Sequence, residues 1–185
     1  MTGSTRIRLR CGLLCLLLTG NLVFGQGRRL SPDNRTASEY EVKAGFLLNF
    51  LRFVEWPAAT AGDEKDPFSL CILGDDPFRD ILDRMVQGET VNGRPIAVRR
   101  LSRWQEPCHL LFVSGPARDT LRILRQAGAG VLTVGESSGF LDDGGMINFV
   151  VEDRRVRFDV SLENATRASV RISSRLVSVA RRVER

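Results

Sequence analysis

The sequence predicts an α/β domain: a mostly parallel sheet covered by helices in three layers, ending in a C-terminal β-hairpin and a long terminal helix. Three observations carry that expectation. The apolar runs "FSLCIL" (Phe68 to Leu73) and "CHLLFV" (Cys108 to Val113) have the length and composition of strands buried on both faces. Stretches of helical periodicity stand between such runs. Near the end, "RVRFDV" (Arg155 to Val160) alternates with period two, the pattern of a hairpin strand with one wet face.

The first element is a leader. Arg6, Arg8 and Arg10 precede an apolar stretch from Leu13 to Phe24. Val23 and Gly25 suit the −3 and −1 positions of a signal-peptidase site, so residues 1–25 read as a signal peptide cut after Gly25. Residues 26–37, rich in Gly, Pro, Asn and Arg, read as a flexible lead-in, and residues 38–185 as one domain. Loss of the three leader arginines takes the formal charge from +5 to +2. That balance removes most of the case for a nucleic-acid partner, which wants a concentrated basic patch.

"KAGFLLNFLRFVEWP" (Lys43 to Pro57) is too short and too charged at its ends to cross a bilayer, which takes roughly 20 apolar residues. It predicts a helix from Ser38 to Glu55. Val42, Phe46, Phe50 and Phe53 make an apolar face, Ser38 and Glu41 a capping box, and Pro57 the stop. Leu48 and Leu51 fall outside the main stripe. The Phe face is expected in the core, with the surplus apolar residues free to line a dimer or partner surface.

Phe68 to Leu73 follows as a strand, then a helix from Pro77 to Val86 and a strand from Pro95 to Arg99 behind the Asn92-Gly93 turn signal. Cys108 to Val113 is a strand, Pro116 to Ala127 a helix closed by Gly128 and Gly130, and Val131 to Val134 a strand. Met146 to Val151 and Val156 to Val160 make the hairpin around Glu152 to Arg155. The terminal helix is expected from Glu163 to Val183, with Ala165, Ala168, Ile172, Leu176, Val179 and Val183 on its apolar face.

The chemistry in the sequence is sparse. One His and two Cys beyond the leader cannot supply a zinc tetrad, and no nucleophile elbow, P-loop or dinucleotide fingerprint is present. No enzyme, metal or cofactor is therefore expected. Cys108 and His109 are neighbours along a strand, so their side chains point to opposite faces and make no nucleophilic dyad. "LGDDPF" places Asp75 and Asp76 at the carboxyl end of a strand, where open α/β sheets bind ligands. With Ser114 and Glu136 they are candidates for a ligand edge. The alternative for Asp76 is a helix cap ahead of Pro77. Arg167, Arg171 and Arg175 recur every four residues on the expected terminal helix and, with Glu163, form either a partner-binding strip or a solvated face.

Cys71 and Cys108 are the two cysteines beyond the leader, and in an exported protein they are candidates for a disulfide. One argument opposes the bridge. In neighbouring strands with aligned ends the two would be offset by three residues, roughly 10 Å, beyond disulfide reach. Either the register is staggered or both are buried thiols.

"KAGFLLNFLRFVEWP", "LCILGDDPF", "CHLLFVS", the pair "LTVGE" and "GGMINF", and "VRFDVSLENATRASVRISSRLVSVA" occur in one order. Together they resemble the YfiR/HmsC-like family of periplasmic regulators. The resemblance implies a small α/β domain that dimerises and inhibits an inner-membrane diguanylate cyclase through the cyclase's periplasmic region. Such a protein lowers cyclic di-GMP and restrains biofilm formation, and its release is linked to the redox state of the envelope. The family's cysteines correspond to Cys71 and Cys108. A periplasmic module that binds a small ligand is the competing reading. Mass spectrometry of the exported protein is expected to find an N-terminus at Gln26; an intact Met1 would sink the leader assignment.

Overall fold

The structure, a computed structural model, describes residues 32–57, 66–104, 108–115 and 117–185. The expected leader lies outside them. Helix α1 (Pro32–Phe53) runs directly into a short strand, β1 (Val54–Glu55). Strand β2 (Phe68–Leu73), helix α2 (Ile81–Val86), and strands β3 (Thr90–Val91) and β4 (Arg94–Leu101) follow. Next come β5 (Leu110–Val113), α3 (Ala117–Ala127), β6 (Leu132–Gly135), β7 (Ile147–Glu152) and β8 (Arg155–Ser161). The chain ends in α4 (Leu162–Arg167), β9 (Arg171–Ile172), α5 (Ser174–Val177) and β10 (Arg182–Glu184). Among the described residues no helix is long and apolar enough to cross a membrane.

Eight strands form one sheet in the order β10-β8-β7-β6-β5-β2-β4-β3. Neighbours are parallel except at the two hairpins, β7 with β8 and β3 with β4. The mostly parallel sheet and the late hairpin are thus as the sequence predicts. All six residues of β2 and all four of β5 are buried. Alternate side chains feed two apolar clusters, because neighbours along a strand face opposite ways. Leu70, Ile72, Leu110 and Phe112 pack with Phe50 and Leu51 of α1, Leu82 of α2 and Phe78 in the turn before it. Cys71, Leu73, Leu111 and Val113 pack on the other side with Ile123, Leu124 and Ala127 of α3.

Helix α1 departs from expectation in two ways. It begins at Pro32, so Ser38 and Glu41 lie within it rather than capping its start. Its surplus leucines are not offered to a partner: Leu48 is 6% exposed and Leu51 fully buried, whereas Val42, assigned to the core face, is 46% exposed. The buried arc is set by Ala44, Leu47, Leu48, Phe50 and Leu51, and Phe46 packs partly buried beside it. The helix gives way to β1, which pairs antiparallel with β9, Val54 opposite Ile172.

The long terminal helix is replaced by two short helices and two short strands. Local chemistry breaks it. Asn164 N–H donates to Ser161 Oγ (3.3 Å), and Leu176 N–H donates to Ser173 Oγ (3.3 Å), so each serine caps a helix of its own. Between them Ser169 takes a left-handed φ of 59° and ends α4. Arg171 and Ile172 then find strand partners in β1, and Arg182 to Glu184 join the sheet beside β8. Of the apolar positions read from the sequence, Ala165, Ile172 and Leu176 are buried, but Val179 is 60% exposed.

Helix α2 is also shorter than predicted. Arg79 adopts a left-handed φ of 52°, which delays the helix to Ile81. Asp76 Oδ1 instead accepts from the N–H groups of Phe78 (2.8 Å) and Arg79 (3.2 Å), capping a turn.

Cys71 and Cys108 are joined by a disulfide, with Cα atoms 6.1 Å apart. The register is the one that argued against it: Cys71 lies opposite Leu111, three residues beyond Cys108. The bridge closes because Cys108 precedes β5 and the chain bends at His109, so the extended spacing does not apply. His109 is fastened on several sides. Its N–H donates to Ser69 O (3.0 Å), its Nδ1 accepts from Ser69 N–H (3.0 Å), and its carbonyl accepts from Leu132 N–H (2.9 Å) and Trp56 Nε1–H (3.0 Å). The bridge is buried, Cys71 at 0% and Cys108 at 7% exposure. Closing a loop over a separation of 37 residues contributes about 3–4 kcal/mol in the chain-entropy model. The Cys71→Ala/Cys108→Ala double variant is expected to lose stability of that order in urea unfolding. Thiol counting on denatured, unreduced protein spanning residues 26–185 should find neither sulfur free; two free thiols would remove the bridge.

Candidate functional site

The chain reverses direction across the sheet between β2 and β5. From β2 it passes through α2 to β4 on one side; from β5 it passes through α3 to β6 on the other. Such a switch point leaves a crevice outside the carboxyl ends of the two strands, the place where α/β sheets hold ligands. A cleft of about 490 Å³ lies there.

Three strand ends and one helix build it. Gly74 and Asp75 continue from β2, Ser114 and Gly115 from β5, and Arg103 and Trp104 from β4. Helix α3 closes the far wall with Asp119, Arg122 and Ile123. The strand ends meet closely: Ser114 N–H donates to Leu73 O (2.9 Å), and Gly74 N–H donates to Leu101 O (3.2 Å). Gly74 has φ +98°, and a Cβ there would stand 2.1 Å from Ser114 O. Only glycine fits this junction. The floor is apolar, since Leu73, Val113, Trp104 and Ile123 belong to the cluster that contains the disulfide.

Of the four ligand-edge candidates, the structure brings two to this cleft, Asp75 and Ser114. Asp76 is committed elsewhere: besides its turn cap, its Oδ2 accepts from Arg100 Nε–H (2.6 Å). Arg100 also pairs with Asp83 of α2 and holds that carboxyl below the usual range through their hydrogen bond. Glu136 sits past the end of β6 and faces α1. Its carboxylate accepts from Lys43 Nζ (2.6 Å) and Tyr40 O–H (3.1 Å). Lys43, only 3% exposed, pairs with Glu39 as well and lies 4.5 Å from the Tyr40 ring centre. Tyr40 and Lys43 stand on α1 and Glu136 past the end of β6, so this cluster fastens α1 to the sheet.

Sequence reasoning missed Arg103, Trp104 and Arg122. No motif marks them, although a Trp in the polar run "LSRWQEP" directly after a strand was an available signal. The second set of expected site residues does not form a stripe. Glu163 and Arg167 pair with each other on α4, Arg171 lies on β9 and bonds Glu55 (3.2 Å), and Arg175 lies on α5. All four are exposed. Cys108 and His109 make no dyad, one being in the disulfide and the other fastened to Ser69.

A mostly parallel sheet with a cleft at its switch point and a buried disulfide beneath defines a small α/β domain. The model of the YfiR/HmsC-like family matches residues 40–181, and the chain belongs to that family. No curated protein matches it.

The Tyr40–Glu136 contact can be followed by pH. Burial, then the negative charge of Glu136 and its hydrogen bond, and lastly the charge of Glu39, raise the Tyr40 phenol above its ordinary value. A raised value means the folded chain holds this proton more tightly than the unfolded chain. The resulting stabilisation is complete below about pH 10 and is lost as pH rises further. Tyr40 is the only tyrosine, so its signal is unmixed. Tyrosinate absorbance of the folded protein is expected to appear only well above pH 10; half-ionisation at about pH 10, as in free tyrosine, would show the contact is absent.

Proposed function

We propose that this protein is a non-enzymatic periplasmic repressor. In this reading it binds the periplasmic region of an inner-membrane diguanylate cyclase and holds the enzyme inactive, lowering cyclic di-GMP and restraining biofilm formation. The observation that carries the reading is family membership over residues 40–181. The mechanism is differential binding: a repressor that prefers the inactive cyclase shifts its population by that preference alone. Moving the equilibrium from 1:99 to 99:1 takes about 5.5 kcal/mol. A homodimer presenting the same surface twice would reach this by avidity.

The exposed charges after β8 are the proposed contact: Glu163, Arg167, Arg171 and Arg175. They are spread over α4, β9 and α5, so the surface is a bent C-terminal run rather than one helix face. The Arg171–Glu55 pair is 82% and 68% exposed, and such pairs contribute little to folding.

A second reading, a periplasmic sensor of a small ligand, is favoured by the cleft at the switch point, where Asp75 and Ser114 meet.

Deleting the gene is expected to raise cyclic di-GMP and surface attachment, and an export-competent copy to reverse both. Unchanged cyclic di-GMP in a strain that expresses an inner-membrane diguanylate cyclase with a periplasmic region would overturn repression and leave the sensor reading. Arg171→Glu and Arg175→Glu are expected to weaken repression while leaving the melting temperature nearly unchanged, because rim charges chiefly set on-rate and specificity.

A further inference from the structure

We propose that the cleft at the ends of β2 and β5 binds a small organic anion with a flat apolar body. The proposal rests on the sensor reading and gives that site its ligand chemistry. The volume, about 490 Å³, lies within the range of small-molecule sites. The floor of Leu73, Val113 and Ile123, with half-buried Trp104 beside it, offers a flat body apolar contact and an aromatic face.

The charge on the walls selects the headgroup. Arg103 and Arg122 stand on different walls, one after β4 and one on α3. Arg103 makes no ion pair among the described residues, and Arg122 has only a loose one, 4.0 Å from Asp119 one helical turn away. Both side chains are exposed, and a guanidinium fork matches a carboxylate with two parallel hydrogen bonds. Two other arginines of the chain are bound by carboxylates and are not available in this way. Arg100 is held by Asp76 and Asp83, and Arg181 by Asp159 and Glu152.

Two carboxylates share the cleft. Asp119 is the partner of Arg122, and the exposed Asp75 faces the site from the β2 end. Asp75 therefore opposes an anion by like charge, which fixes the sign of its effect. Removing that charge strengthens anion binding, and removing Arg103 or Arg122 weakens it.

The test uses the mature, disulfide-bonded protein and three probes of one shape: 2-naphthoate, the neutral 2-naphthamide and the cationic 2-naphthylmethylamine. Binding is followed by backbone amide shifts. The expected result is that naphthoate binds more tightly than the other two, with shifts centred on Asp75, Trp104, Ser114 and Arg122. Its affinity should fall at least tenfold in Arg103→Gln and in Arg122→Gln, rise in Asp75→Asn, and weaken with added salt. These positions are exposed, and unchanged amide shifts elsewhere show that each variant is folded. If the amide or the amine binds in the cleft as well as naphthoate, the anion assignment is overturned while the sensor reading stands. If none of the three moves the cleft resonances, both are overturned.

Discussion

The rest of the structure depends on β2. Its six residues are all buried, and it has parallel partners on both sides, β4 and β5. A strand with no wet face must be covered above and below. That requirement brings α1 and α2 onto one side and α3 onto the other. It also forces the chain to leave β2 and β5 in opposite directions, and the cleft is the space left where those paths diverge. The disulfide acts on the same strand. It ties Cys71 to the bend before β5, and the cleft floor belongs to the cluster around that bridge.

How much of this was legible depends on whether a signal was local. β2 and β5 were readable because unbroken apolar runs of strand length, in a chain with helices between, leave few alternatives. The hairpin was readable from alternation alone. The terminal helix was not, because the same apolar spacing fits a helix and a folded-back chain. What decides between them is capping by Ser161 and Ser173 and the pairing of Arg171–Ile172 with Val54–Glu55. The serines are visible in sequence, but the pairing spans more than a hundred residues and is not. The candidate site divides in the same way. Asp75 and Ser114 followed from the sheet-edge rule. Glu136 satisfied that rule equally well, but its partner Lys43 lies 93 residues away and claims it for the α1 junction. Asp76 carried two local readings, and its neighbours' N–H groups chose the structural one.

The sequence motifs on which the resemblance rests are in contact. The end of "KAGFLLNFLRFVEWP" pairs through β1 with the final motif through β9, and Ser173 N–H donates to Phe53 O (3.0 Å). Trp56 of the first motif donates to His109 of "CHLLFVS" and packs edge-on against Phe68 (5.3 Å). The glycines of "LTVGE" and "GGMINF" close on one ring. A Cβ at Gly135 or Gly145 would meet Phe140 at 2.4 or 2.1 Å. Ser114 N–H of "CHLLFVS" donates to Leu73 O of "LCILGDDPF" (2.9 Å), and Glu136 of "LTVGE" accepts from Lys43 of the first motif (2.6 Å), so patterns far apart in sequence are read together because they are built against one another.

The sheet ends in very short strands, two residues of β3 at one margin and three of β10 at the other. Long open edges recruit other chains by backbone pairing and seed aggregation. The short strands cover only part of the strands beside them: β3 pairs with Arg94 and Pro95 of β4, and β10 with Asp159 to Ser161 of β8, so among the described residues Ile96–Leu101 and Arg155–Arg157 have no strand on their outer side. Arg99 and Arg100 on the first stretch and Arg155 and Arg157 on the second place positive charge where an added strand would have to lie, so a second copy pairing edge to edge would meet like charge.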